Sequence, residues 1–165
     1  MRSRMNASEY RTYGKSRSVR LPPESYRVAG AHYFVTCCCR SRQPGLQDPA
    51  IANAVMEAWW EAAARCAFRL WALCVMPDHV HAMVEATDET SSLSDVVRGA
   101  KMLCLGRTRS IGRLRWQRRF HDHALREREN PVDTIAYVIN NPVRRGLVEA
   151  WQDWPFSYVD PDAAL

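Results

Sequence analysis

The two histidines of His79-Val80-His81 are the residues of this chain best placed to do chemistry. In a strand, residues i and i+2 project to the same side, so both imidazoles would emerge together with Val80 on the opposite face. Two neutral imidazole nitrogens from one strand can grip a divalent ion, and burying them without a partner is costly. The pair follows the turn residues Pro77-Asp78 and sits in the apolar run ending Ala82-Met83-Val84, which favours metal binding over two solvent-facing rings. The same spacing recurs in His121-Asp122-His123, but there the context is polar and basic with no clear strand, so it ranks second. Tyr137 and Asn141 form the other constellation: four residues apart, they share one helical face. The amide oxygen could complete a metal shell, and the phenol could act as a nucleophile. A phenol, with a pKa of about 10, attacks a phosphate only if a cation stabilises the developing charge. Taken from the helix alone, the plainer reading is stronger: Tyr137 as a core aromatic, with Asn140 and Asn141 capping the helix end.

These residues need elements to hold them. Tyr33-Phe34-Val35-Thr36-Cys37-Cys38-Cys39 is aromatic and β-branched and reads as a strand. Asp48 or Pro49 opens a helix whose apolar positions Ile51, Val55, Ala58, Trp59, Ala62 and Cys66 recur at helical spacing. The runs from Phe68 to Val75 and from Val80 to Val84 flank the Pro-Asp turn and read as an antiparallel pair. A second helix starts at Ser91–Asp95 and runs to about Leu105, ended by Gly106 and Gly112. Asn130-Pro131 caps a third, which stops near Asn141 because Pro142 disfavours helix at the residue before it. Strand, helix, two strands, helix predicts a small α/β sandwich, an antiparallel sheet with helices on one face.

At 165 residues the chain fits one domain, expected over 25–165, preceded by a basic arm over 1–24. No apolar run is long enough to span a bilayer, and no apolar segment follows the N-terminal Met1-Arg2-Ser3-Arg4, so a soluble, cytoplasmic protein is expected. The six cysteines form no C-x-x-C pair and read as buried, reduced packing. The net charge is only +5, but eight basic residues and no acidic one lie between Arg98 and Arg119. Such an arginine-rich stretch is either a solvated face or a surface for phosphates.

The string Met76-Pro77-Asp78-His79-Val80-His81 resembles the His-hydrophobic-His motif of the single-tyrosine HUH transposases. Tyr137-Val138-Ile139-Asn140-Asn141-Pro142-Val143-Arg144-Arg145-Gly146-Leu147-Val148 resembles their tyrosine helix and its continuation, and Asp153-Trp154-Pro155-Phe156-Ser157 their ending. The chain is most similar to the REP-associated tyrosine transposases, over about Tyr26 to Tyr158. That resemblance implies an α+β, ferredoxin-like or RRM-like antiparallel sheet with the histidines on a central strand. It implies Mg or Mn held by His79, His81 and Asn141, with Tyr137 attacking DNA to leave a 5′-phosphotyrosine link and a free 3′-hydroxyl. The implied partner is single-stranded DNA folded into REP-type palindromic hairpins, bound by a monomer rather than a dimer, in the nucleoid. Arg115, Arg118, Arg119, Arg144 and Arg145 become candidates for phosphate contacts, His123 a further residue of the site, and Trp116–His123 a basic helix. Trp116 and Phe120 could stack on bases or pack in the core, and Ser8-Glu9-Tyr10-Arg11 could read a guide sequence, with Ser25-Tyr26-Arg27 as a competing alignment. A non-catalytic hairpin-binding module is the competing function.

Overall fold

The computed structural model describes residues 26–163; the expected arm and its Ser8–Arg11 stretch lie outside them. In chain order come β1 (His32–Cys38), α1 (Pro49–Arg65), β2 (Phe68–Met76), β3 (His79–Ala86), α2 (Leu93–Thr108) and β4 (His121–Ala124). Then follow α3 (Pro131–Ile139), α4 (Asn141–Arg144) and β5 (Ser157–Val159), with 3-10 turns at Arg40–Arg42 and Trp151–Asp153. The five strands form one antiparallel sheet in the order β4-β1-β3-β2-β5. Its first four strands carry the ferredoxin-like order, β5 extends the β2 edge, and β3 lies at the centre.

Local chemistry accounts for the helix starts. Asp48 accepts from the amide of Ala50 ahead of Pro49, and Asn130 does the same for Val132 ahead of Pro131. Ser92 and Asp95 bond each other's backbone amides in a capping box that starts α2. The helix does not stop at Leu105 but runs through Gly106 to Thr108. Glycine there costs about 1 kcal/mol; burial of Cys104 and Thr108 and the Arg107–Glu61 ion pair to α1 offset it.

The sheet is covered on both faces, not on one as the element pattern suggested. Tyr33, Val35 and Cys37 of β1 and Val80, Ala82 and Val84 of β3 pack under α1 and α2 in the main core. The alternate residues Phe34, Ala72, Cys74, Met76 and Met83 are also buried, and Ile135, Val138 and Ile139 of α3 cover them. Strands apolar on both faces need a layer on each side. The third helix supplies the second layer, and its inner side is the floor on which the site is built.

All six cysteines are free; five are buried and Cys66 is half-buried at the end of α1. Burial pushes the thiols of Cys37, Cys74 and Cys104 up to about 12 and so keeps them unreactive. Brief alkylation of the native protein at pH 8 should therefore label Cys66 first. Mass spectrometry finding Cys37 or Cys104 labelled as fast as Cys66 would contradict this packing.

Candidate metal and nucleophile site

The β2–β3 hairpin turns on Pro77-Asp78, with Met76 opposite His79. This seats His79 and His81 at the first and third positions of the central strand, both buried and on the face toward α3. Their Nε2 atoms converge to 3.0 Å. His79 Nδ1 donates to Asp78 Oδ1 at 2.5 Å, which fixes its tautomer and leaves Nε2 bare. His81 Nδ1 lies 2.9 Å from the hydroxyl of Thr36, its cross-strand partner on β1. A hydroxyl both donates and accepts, so Thr36 suits either tautomer of His81. Asp78 is in turn met by Arg42 Nη1 at 3.2 Å. Thr36, Asp78 and Arg42 were not among the residues expected from the sequence.

Burial drives the His81 pKa well below its ordinary value, reinforced by His79 and by the fields of Arg42, Arg144 and Arg145. Burial also lowers His79, partly offset by Asp78. Burial works to raise Asp78, but its bond to His79 and the charges of His79, Arg42 and Arg145 hold it below the usual carboxylate value. Folding therefore favours the neutral form of both rings. Unfolded, they take up protons below about 6.5, so the unfolded state binds more protons there and stability falls as pH drops through that value. Above it the stability is complete, and Asp78 loses its contribution only in far stronger acid, below its ordinary 3.8. Thermal melts in chelating buffer should show a Tm that is level above about pH 7.5 and declines toward pH 5; a Tm that rises over that interval would contradict neutral, buried rings.

Tyr137 enters from α3, half-buried on the same face. Its ring lies 5.9 Å from the His81 ring and 5.6 Å from Phe34, edge-on to both, with the Arg144 guanidinium 4.5 Å over its face. Phe34 stacks on His81 at 5.3 Å, so nucleophile candidate and ligand candidate share one aromatic wall. The helix stops at Ile139, Asn140 caps it, and Asn141 starts α4 with Pro142 behind it. Proline cannot donate to the carbonyl four residues back. The buried Asn141 amide nitrogen reaches that carbonyl, Val138 O, only at 3.5 Å, and donates chiefly to Tyr137 O at 2.9 Å. That commitment makes the amide oxygen the atom Asn141 can offer. Among the described residues there is no group of three or more His, Cys, Asp or Glu that could hold a metal ion.

A family model described as Transposase IS200 like matches residues 27–141, a span that holds both histidines, Tyr137 and Asn141. The chain belongs to this family. A REP-associated tyrosine transposase of Escherichia coli K12 is 28% identical over 145 residues, covering 84% of this chain and 82% of the relative. A Haemophilus influenzae Rd protein given the same name provisionally is 26% identical over 140 residues, covering 78% and 79%. The solved structure of a REP-associated tyrosine transposase bound to a REP hairpin superposes with a TM-score of 0.67 at 26% identity, covering 80% of this chain and 78% of that one. The IS200-like transposases process DNA, and this chain carries their fold with its α+β sheet.

Placed on this IS200-like transposase, the other expected residues divide. Arg144 and Arg145 are exposed at the end of α4, beside Tyr137 and within the field felt by His81. Arg115, Arg118 and Arg119 are exposed on the segment from α2 to β4. That segment is not the basic helix expected: Trp116 makes a single bridge to Cys39, and the chain then enters strand β4. Lys101 holds it by donating to Gln117 O at 2.9 Å and Arg119 O at 3.4 Å. Trp116 and Phe120 are half-buried against the main core, so packing is their role here. The His121-Asp122-His123 repeat does lie on a strand. His121 pairs with Thr36, which pairs with His81, so His121 lies on the cross-sheet row of His81. His123 sits two rows further along, opposite Phe34, with Nε2 2.9 Å from Glu129. Among the described residues no helix is long and apolar enough to cross a membrane.

Proposed function

We propose that this chain is a metal-dependent single-stranded DNA endonuclease and strand transferase that acts on REP-type hairpins. The observation that carries this reading is the convergence of the His79 and His81 Nε2 atoms, 3.0 Å apart, on the face that also receives Tyr137 from a separate helix. His79, His81 and the Asn141 amide oxygen would hold a divalent ion, Mg or Mn, with the amide carbonyl oxygen the donor type that suits these ions best. When bound, the ion supplies charge stabilisation at the scissile phosphate. Asp78 and Thr36 hold the two rings in place, and burial keeps them neutral and ready to donate lone pairs. Tyr137 Oη forms a bond to phosphorus while the bond to the 3′ oxygen breaks. The phenol gives up its proton and the departing 3′ oxygen gains one, so the exchange is balanced and reversible without ATP. Arg144, stacked on the Tyr137 ring, and Arg145 place positive charge where the phosphate would lie. His123, Arg115, Arg118 and Arg119 would line the approach of the DNA, giving affinity and salt dependence rather than sequence choice. The protein would work as a monomer in the cytoplasm, on nucleoid DNA.

The test is a denaturing gel of end-labelled single-stranded REP hairpin DNA incubated with the protein. A covalent protein–DNA band that requires Mn or Mg and disappears with chelator is the expected result. Tight hairpin binding without any such band, in either metal, would replace this reading with that of a non-catalytic hairpin-binding module.

A further inference from the structure

Two histidines on β4, His121 and His123, repeat the spacing of the site pair, and His121 has no task in the chemistry above. His121 pairs with Thr36, and Thr36 with His81, so the three side chains form one row on one face of the sheet. Two strand spacings set the Cα atoms of His121 and His81 roughly 10 Å apart. The row opens along its length: His81 is buried, Thr36 half-buried and His121 exposed. The helices account for this. α3 packs over β2, β3 and β5, and α4 over β2, so the β4 edge of this face stays accessible.

Tyr137 comes to the site from α3. Phosphoryl transfer places the attacking and leaving oxygens roughly in line, so a 3′ oxygen displaced by Tyr137 departs away from that helix. On this face the departure runs toward β1 and β4, where His121 stands. The departing oxygen needs a proton, and a histidine can hold and release one near neutral pH. The neighbouring charged or proton-bearing groups are committed elsewhere or unsuited. His123 is bound to both carboxylate oxygens of Glu129, at 3.1 and 2.9 Å. Asp122 points to the other face, where it accepts from Tyr26. Burial pushes the Cys38 thiol, opposite His79, above its ordinary value, and that of Cys74, opposite His81, up to about 12. Lys101, from α2, donates to backbone carbonyls, and Arg118, Arg119, Arg144 and Arg145 do not release protons. Among the described residues His121 makes no hydrogen bond or ion pair, so its ring can turn to a substrate.

We propose that His121 is the proton donor to the leaving 3′ oxygen, an assignment that rests on the function proposed above. As Tyr137 Oη bonds to phosphorus, the bond from phosphorus to the 3′ oxygen breaks and its electron pair stays on that oxygen. The His121 imidazolium transfers one ring proton to it, which gives a 3′-hydroxyl and a neutral imidazole. The phenol proton passes to solvent, and solvent returns one to His121, so charge and protons balance. In the joining direction the neutral ring takes the hydroxyl proton back.

Cleavage of two REP hairpin substrates in Mn tests this: one with the natural 3′ oxygen at the scissile link, one with sulfur in its place. Sulfur departs as a thiolate and needs no proton, because a thiol is far more acidic than an alcohol. General acids contribute on the order of a hundredfold or more, so His121→Gln should slow the oxygen substrate by about that factor. The same variant should cleave the sulfur substrate within about threefold of the parent rate, since no proton is then needed. His121→Arg keeps a positive charge but donates no proton, and should behave as His121→Gln does. Hairpin affinity by fluorescence anisotropy, Mn affinity by calorimetry and the melting temperature should match the parent's in both variants. Equal slowing on oxygen and sulfur, no slowing on oxygen, or recovery of the oxygen rate in His121→Arg overturns the assignment and leaves the tyrosine mechanism standing. A parent protein that forms no covalent band with either substrate refutes the proposed function, and the assignment falls with it.

Discussion

Replacing Tyr137 with Phe should abolish the covalent protein–DNA band while leaving hairpin binding within about twofold of the parent, since a substitution that keeps the packing intact changes free energy by under roughly 0.5 kcal/mol. The ring makes the packing interactions: edge-on to Phe34 and His81, and under the Arg144 guanidinium. Phenylalanine keeps every one of them and removes only the oxygen. If that oxygen is the nucleophile, no neighbouring group replaces it, and activity should drop on the order of a thousandfold or more, as when other covalent enzymes are deprived of their attacking atom. The melting temperature and the anisotropy isotherm of Tyr137→Phe serve as controls in the same preparation. A covalent band that survives the substitution would move the attack to another residue and remove the mechanism proposed here.

His81→Ala should be comparably severe, for a different reason. His81 and His79 meet through Nε2 atoms 3.0 Å apart, so neither ring alone offers a bidentate grip. Removing an outer-sphere partner of a metal ligand already costs 10- to 100-fold in affinity, and removing the ligand itself should cost at least about 100-fold. Calorimetric titration with Mn should show this, and cleavage should disappear with it at ordinary metal concentrations. Truncating a buried ring also opens a cavity, at a cost of roughly 1–3 kcal/mol. His81→Gln, which fills more of that space, separates the two effects: its melting temperature should recover toward the parent's while Mn affinity remains depressed. Parent-like Mn affinity in either variant would place the ion elsewhere.

Features governed by neighbours in sequence were legible in advance. The N-caps at Asp48, Ser92 and Asn130, the Pro77-Asp78 hairpin and the placement of His79 and His81 on one strand all follow from turn chemistry and a period of two. Features governed by register were not. Thr36 lies 45 residues from His81 in sequence, and Arg42 lies 36 from Asp78; only the pairing of β1 with β3 and the left-handed turn after β1 bring them together. Strand β4 escaped notice because three of its four residues are polar and none is buried, so its strand character comes from the partner edge and not from its own apolar pattern. The second sheet face escaped notice because a fully buried strand shows no alternation from which to count layers.

The position of β3 has a consequence for amide hydrogen exchange. A strand third among five can expose its amides to solvent only if β1 or β2 separates from it, an event close to global unfolding. Amides from His79 to Ala86 should thus exchange with the slowest class, at the free energy of the whole fold. The four-residue β4 lies at the open edge and can detach at far smaller cost, so its amides should exchange orders of magnitude sooner. The histidines stand on the last part of the molecule to open, and the rim over which a DNA strand would enter is among the first.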